Sequence, residues 1–171
     1  FDTSIVNLFF SENAADAEVR GLEADITYAP SAGLTMGAAF SVLDSEVTDT
    51  KTPSTDVVEG MELAYAPKFQ GNVWVRYEWA MANGWMGHVM PSISHSAKSY
   101  SDIITINRMD VPNWTMVNFS AGIASEDWMI EAFVTNLTDE QVVTGANYVN
   151  DRERLALAPP TTLGVRVSFD F

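Results

Sequence analysis

Polar and apolar residues alternate with a period of two over most of this chain. In residues 67–80 the odd positions carry Phe69, Gly71, Val73, Val75, Tyr77 and Trp79. The even positions there carry Lys68, Gln70, Asn72, Trp74, Arg76 and Glu78. Leu22, Ala24, Ile26 and Tyr28 alternate with Glu23, Asp25 and Thr27, and Leu34, Met36, Ala38, Phe40 and Val42 with Thr35, Gly37, Ala39 and Ser41. Val117, Phe119, Ala121 and Ile123 face away from Met116, Asn118, Ser120 and Gly122. Trp128, Ile130, Ala132 and Val134 face away from Met129, Glu131, Phe133 and Thr135. The chain closes on LGVRVSFDF, where Leu163, Val165, Val167, Phe169 and Phe171 share one parity. A period of two is that of strands with one apolar face. It predicts an all-β, antiparallel fold of about eight strands, at 3–10, 18–29, 34–43, 67–80, 85–96, 114–124, 128–137 and 161–171. The uncharged stretch from Ile26 to Leu43 approaches the length of a membrane-spanning helix. Pro30 and Gly33 in YAPSAG divide it into two strands and a turn.

The connections alternate in length. PSAG, MANG and SED are tight turns after the second, fourth and sixth strands, whereas 44–66, 97–113 and 138–160 are long and rich in Asp, Thr, Asn and Pro. Compact domains rarely hold several such loops. Outer-membrane barrels do so by habit, with short turns on the periplasmic side and long loops outside. Tyr28, Trp79, Trp85, Trp128 and Phe171 lie close to a short turn or the C-terminus, and Phe69 and Trp114 lie near long-loop ends. Amphipathic rings favour the membrane interface, so these predict two aromatic girdles. Glu23, Asp25, Arg76, Glu78, Glu131, Arg166 and Asp170 all take the polar parity. That segregation matters, because Arg or Lys facing lipid at mid-depth costs about 2–4 kcal/mol. Arg20 shares parity with Leu22, but near the loop end of its strand, where a long side chain can snorkel.

Composition narrows the classes. The 171 residues are 47% apolar, which excludes disorder, and carry a net charge of −14. That charge disfavours nucleic acid, whose phosphates require Lys and Arg. Cysteine is absent, removing disulfides, thiolate metal sites and cysteine nucleophiles. The first residue is Phe1 and no leader pattern follows it, so a processed product or a fragment is expected.

Four segments, in order, resemble the C-terminal part of a TonB-dependent outer-membrane receptor: VRGLEADITYAPSAGLTMGAAFSVLDSEV, YAPKFQGNVWVRYEW, WMIEAFVTNLTDEQ and APPTTLGVRVSFDF. The features that carry the likeness are Gly21 with Glu23, Ala66 to Lys68, Asn136 to Glu140, and the terminal Phe171. Two positions depart from the family pattern: Thr161 stands where Arg is usual, and the usual Tyr is missing near Val142. The resemblance implies a 22-stranded barrel around an N-terminal plug domain. It implies uptake across the outer membrane of a Gram-negative cell of a scarce nutrient, such as a ferric siderophore, haem, cobalamin or glycan, driven by TonB from the inner membrane. It also implies that Phe171, with Phe169, Val167, Val165 and Leu163, addresses the barrel-assembly machinery. No plug or TonB-contacting segment is expected within 1–171, which reads as the last strands of a longer receptor.

No catalytic constellation and no cofactor site is evident. His88 and His95 lie on opposite faces of one strand and cannot share a metal. His88 has the parity of Met86 and Met90, for which lumen or packing roles outweigh a copper or haem reading. Asp44, Glu46, Asp49, Asp56, Glu59 and Glu62 lack the spacing of a calcium loop and read as a solvated acidic loop. The N-x-[ST] triplets at Asn113, Asn118 and Asn136 fall in or beside strands and read as accidental. Two other architectures compete. One is a complete eight-stranded barrel serving as adhesin, pore or anchor; its narrow, side-chain-filled interior would have to bury five acids with Arg76 and Arg166 alone as partners. The other is a soluble β-sandwich, which the aromatic placement disfavours.

Overall fold

The computed structural model describes residues 15–51, 56–82, 84–149 and 152–170. Among these residues eleven strands form: β1 (Ala15–Ser31), β2 (Leu34–Thr50), β3 (Phe69–Ala80), β4 (Met86–Ser96), β5 (Ser99–Tyr100), β6 (Asp110–Val111), β7 (Trp114–Ala124), β8 (Trp128–Thr135), β9 (Val143–Val149), β10 (Arg152–Leu157) and β11 (Thr162–Phe169). One 3₁₀ turn, Thr105–Asn107, interrupts them. Among the described residues no helix is long and apolar enough to cross a membrane.

Seven strands make one antiparallel sheet in the order β1-β2-β3-β4-β7-β8-β11. This is a meander in which each strand pairs with its successor in the sheet, the arrangement that alternating short turns and long loops dictate. Gly33 at φ 79° closes the β1–β2 turn. A side chain there would be strained by that φ and would also strike the Glu78 carbonyl, 2.3 Å from an ideal Cβ.

The all-β antiparallel expectation holds, and the expected strands from 67 onward recur within two residues at each end. The expected strand at 3–10 lies outside the described residues. The long connections differ from expectation. β2 runs through the acidic stretch to Thr50, paired with β1 back to Ala15. β5 pairs with β6 in the second connection, and β9 with β10 in the third. These pairings bury isolated side chains such as Val47, Val111 and Ala146 rather than a continuous face, so they leave no apolar period.

The enclosed apolar side chains are in these outer parts. Val57, Val111, Val142 and Ala146 are buried there, and within the described seven-stranded sheet the buried apolar side chains are Val47, in the extension of β2, and Val134.

Candidate functional site

The register assembles the two parities into two chemically distinct faces. On the apolar face Ile26, Ala38, Val73, Ile93 and Val117 form one row across five strands. Tyr77, Val89, Ala121, Ala132 and Val165 form another. These side chains stand open: Leu163 is 78% exposed and Val165 68%. The face turns charged at Arg20, which pairs across the hairpin with Asp44 and bonds Glu18 at 2.7 Å. From Phe69 to Trp79 the apolar column of β3 spans about 34 Å along the strand at the usual rise. A tilt of about 40° reduces this to a band about 26 Å tall, the height of a barrel's lipid-facing belt.

The aromatic residues singled out from the sequence gather at the short-turn end. Trp79 stacks on Tyr77 with ring centroids 5.8 Å apart and lies over Gly87. Trp128 meets Phe169 at 4.6 Å. Tyr28 is exposed opposite Met36, and the Trp85 carbonyl accepts a hydrogen bond from Met81 N–H. Leu163, Val165, Val167 and Phe169 of β11 face Val134, Ala132, Ile130 and Trp128 of β8. Phe171 lies outside the described residues. At the long-loop end Phe69 does join the apolar face, opposite Val42. Trp114 does not: it pairs with Ser96 in the row of Gln70, on the polar face, because its parity is that of Met116 and Asn118. It therefore cannot belong to an outer girdle.

The polar face divides into two halves. Toward the short turns, Glu78, His88, Gly122, Glu131 and Arg166 occupy one row. The His88 ring reaches across β7 over Gly122, where a Cβ would sit 2.6 Å from a ring carbon. His88 Nε2 lies 3.0 Å from Glu131 Oε2, and Arg166 Nη1 donates to Glu131 Oε1 at 2.8 Å. Arg76 bonds Glu78 at 2.9 Å alongside. With His88 only 3% exposed and Glu131 9%, the charge-assisted hydrogen bonds of this relay tie three strands, β4, β8 and β11, across β7. Nothing in the spacing marked it, since its members lie far apart in sequence; their shared polar parity was the available signal. Toward the long loops, Glu23, Asp25, Ser41, Gln70, Asn72 and Trp114 line a hollow of about 530 Å³. His95 lies on the other face, with Nδ1 2.8 Å from Thr115 Oγ1. No group of His, Cys, Asp and Glu among the described residues could hold a metal.

Two devices fasten the loops to this frame. Asn136, at φ 52° and only 1% exposed, donates from Nδ2 to the carbonyls of Glu140 and Pro159 and accepts at Oδ1 from Glu140 N–H. Its N–H donates to Asn118 Oδ1, and its carbonyl accepts from Thr161 Oγ1 at 2.7 Å. Thr161 thus has a defined structural task where the family pattern has Arg. The second device is Tyr65, whose hydroxyl donates to the Ala146 carbonyl at 2.6 Å and accepts from Ala146 N–H at 3.0 Å. Arg108 lies 3.7 Å over the Tyr100 ring and donates to the Glu62 and Asp102 carbonyls. Lys68 is hydrogen-bonded by the Glu62 carboxylate, which raises its pKa above the ordinary lysine value.

A family model described as TonB dependent receptor-like, beta-barrel, matches residues 1–137. The chain belongs to the TonB-dependent receptor β-barrel family. In this family setting the two-faced sheet is a piece of transmembrane barrel wall, open among the described residues because it is part of a larger circuit. The ferric yersiniabactin uptake receptor FyuA from Yersinia pestis superposes with a TM-score of 0.80 at 19% identity, over 93% of this chain and 24% of that one. BauA, the ferric preacinetobactin receptor from Acinetobacter baumannii, gives 0.74 at 23% identity, over 92% and 23%. The siderophore receptor PiuA from the same organism gives 0.72 at 18% identity, over 91% and 22%. At these identities the likeness is one of fold, and the chain spans about a quarter of the length of these receptors. No curated protein matches the chain significantly.

Proposed function

We propose that this chain is the C-terminal segment of the barrel of an outer-membrane active-transport receptor for a scarce nutrient of the ferric siderophore class. A plug domain, supplied by sequence before Phe1, fills the lumen and couples transport to TonB. The observation that carries this reading is the two-faced, seven-stranded wall, in the fold of the ferric yersiniabactin uptake receptor and the ferric preacinetobactin receptor. The apolar face meets lipid and the polar face meets the lumen. The hollow by Glu23, Asp25, Asn72 and Trp114 belongs to the outer vestibule, above the ion-paired relay.

Tyr28, Trp79, Trp85 and Trp128 then form the periplasmic girdle, where ring and polar tip both find their preferred medium. Leu163, Val165, Val167, Phe169 and Phe171 form the terminal signal read by the barrel-assembly machinery. Deleting Phe171 is expected to lower the amount of full-length receptor in the outer membrane far more than Asp170→Asn, which changes only a lumen-side charge. Quantitative blotting of outer-membrane fractions at matched synthesis rates measures this, and equal levels would remove the signal role.

Transport itself is tested in iron-starved cells expressing the full-length receptor, with and without TonB, given radiolabelled ferric siderophores of catecholate, hydroxamate and phenolate types. Accumulation of at least one that disappears without TonB is expected. Failure of all of them, with receptor present in the outer membrane, would reject the cargo class.

A further inference from the structure

Two adjacent rows cross the polar face at the hollow of about 530 Å³. Glu23, Ser41, Gln70, Ser96 and Trp114 make one row, and Asp25, Ala39, Asn72, Ser94 and Met116 the next. In these rows β2 and β4 contribute only small side chains, set between longer ones on β1, β3 and β7. That alternation of height opens the hollow, whose volume is that of a small-ligand pocket. Four strand spacings separate Glu23 from Trp114, about 19 Å along the sheet, so the space is elongated.

Its polar side chains present mainly acceptors. Glu23 Oε1 accepts from the Ser41 hydroxyl at 3.3 Å, and the Asp25 carboxylate has no partner among the described residues. Gln70 Nε2 donates to Ser96 Oγ at 3.4 Å and Asn72 Nδ2 to Ser94 Oγ at 3.0 Å. With their donors committed to β4, both amides turn their oxygens back toward the hollow. No Lys or Arg lines it. The cations just above and below are already paired: Lys68 with Glu62 at 2.8 Å, Lys98 with Asp110 at 3.0 Å and Arg76 with Glu78 at 2.9 Å. A guest that fits this surface brings donors and no net negative charge.

We propose that the hollow seats a ferric hydroxamate chelate carrying a free amine. Its ammonium meets Glu23 and Asp25, its N–H groups meet the oxygens of Gln70 and Asn72, and its hydrocarbon spacers lie on the Trp114 ring. The proposal rests on the ferric siderophore reading above and narrows it to one charge class. Three hydroxamates, each with a single negative charge, neutralise ferric iron, so an added ammonium makes the complex cationic. Three catecholates, each doubly charged, leave it strongly anionic, and the two carboxylates repel it over a Debye length of about 8 Å. An ammonium offers three donors to a surface of acceptors. The indole supplies a broad apolar face on which methylene chains pack.

The test measures binding of three ferric complexes to full-length receptor in detergent: a linear tris-hydroxamate with a terminal amine, the same chelator N-acetylated, and a tris-catecholate. Wild type is expected to bind the amine form about tenfold more tightly than the acetylated form, and the catecholate most weakly. Glu23→Gln combined with Asp25→Asn keeps side-chain size and should bring the two hydroxamates within about twofold of each other. Trp114→Ala should weaken both hydroxamates about fivefold and leave their ratio unchanged. Outer-membrane level and heat-modifiable migration of each variant separate lost binding from lost folding. Equal binding of the two hydroxamates by wild type, or an unchanged ratio in the double variant, would overturn the proposal. Preference for the catecholate, or no binding of either hydroxamate, would also overturn it. Those outcomes leave the cargo reading standing, because that reading is decided by TonB-dependent uptake across the wider panel of ferric siderophores.

Discussion

The seven-stranded wall and the cap of connections at its long-loop end are held together in opposite ways. In the wall, large apolar side chains stand open on one face, with Leu163, Val165 and Leu22 all well over half exposed. They contribute nothing to a protein core; their stability comes from the medium outside, at roughly 25 cal/mol for each Å² removed from water. In the cap, Val47 and Val142 are each 1% exposed and Asn136 makes five hydrogen bonds. The cap is thus packed like an ordinary soluble domain, while the wall is completed by its solvent. A change in the wall should register only in the membrane, and a change in the cap should register in either setting.

The strongest test of the wall is Phe119→Arg, which places a cation on the apolar face near mid-depth. It is expected to cost about 2–4 kcal/mol and to strip the receptor from the outer membrane. Polar parity alone does not choose the control: Ser120 is on the other face but is only 8% exposed, with its hydroxyl enclosed. Gln70→Arg, on the open part of the polar face, should leave membrane levels unchanged. Equal loss for both would break the division of the faces.

The strongest test of the cap is Asn136→Ala. It strands the Glu140 N–H and the Glu140 and Pro159 carbonyls and leaves Ala at φ 52°, so a loss of about 3 kcal/mol is expected. Urea unfolding of the receptor in detergent would show it, and an unchanged midpoint would mean that water replaces the amide at no cost. Tyr65→Phe is milder, at about 1–2 kcal/mol, since it removes the hydroxyl that bridges Ala146. Faster cleavage of the loops by external protease is expected, with heat-modifiable migration of the barrel unaltered. Sidedness sharpens the comparison without a cost in stability. Cysteine at Asn147 should react with an impermeant maleimide on intact cells, and cysteine at Ala82 should not; the reverse pattern would invert the topology.

How much was legible follows the same division. The wall could be read because a bilayer imposes one strict rule, apolar out and polar in, on every second residue. Gly71, Val73 and Val75 announced their face before any register was known. Residues 44–50 obey no such rule: Asp44, Ser45, Glu46 and Asp49 look like loop, and they extend β2 only because Ala15–Gly21 runs alongside. The Tyr65–Ala146 bridge and the His88–Glu131 pair join residues 81 and 43 positions apart, through geometry that one sequence does not encode locally. Trp114 lies close to a strand end like the girdle rings, but its parity, shared with Met116 and Asn118, turns it to the polar face. The Asn136–Glu140 motif stands out in the sequence only by its likeness to a family, and its physical basis is the set of hydrogen bonds that Asn136 makes to Asn118, Glu140, Pro159 and Thr161.

The extension of β2 past Val42 makes the outer hairpin a mast whose own charges oppose one another. Glu18 stands directly across from Glu46, and Asp16 across from Asp49, with Arg20 and Lys51 bonded to one member of each pair. Like charges facing across a ladder loosen it, and dissolved ions relax that repulsion over a Debye length of about 8 Å at physiological ionic strength. The mast is therefore a salt-tuned element on a salt-indifferent wall. Amide hydrogen exchange at Ala15–Arg20 and Asp44–Thr50 should slow as ionic strength rises, while the rows below Leu22 keep their protection throughout.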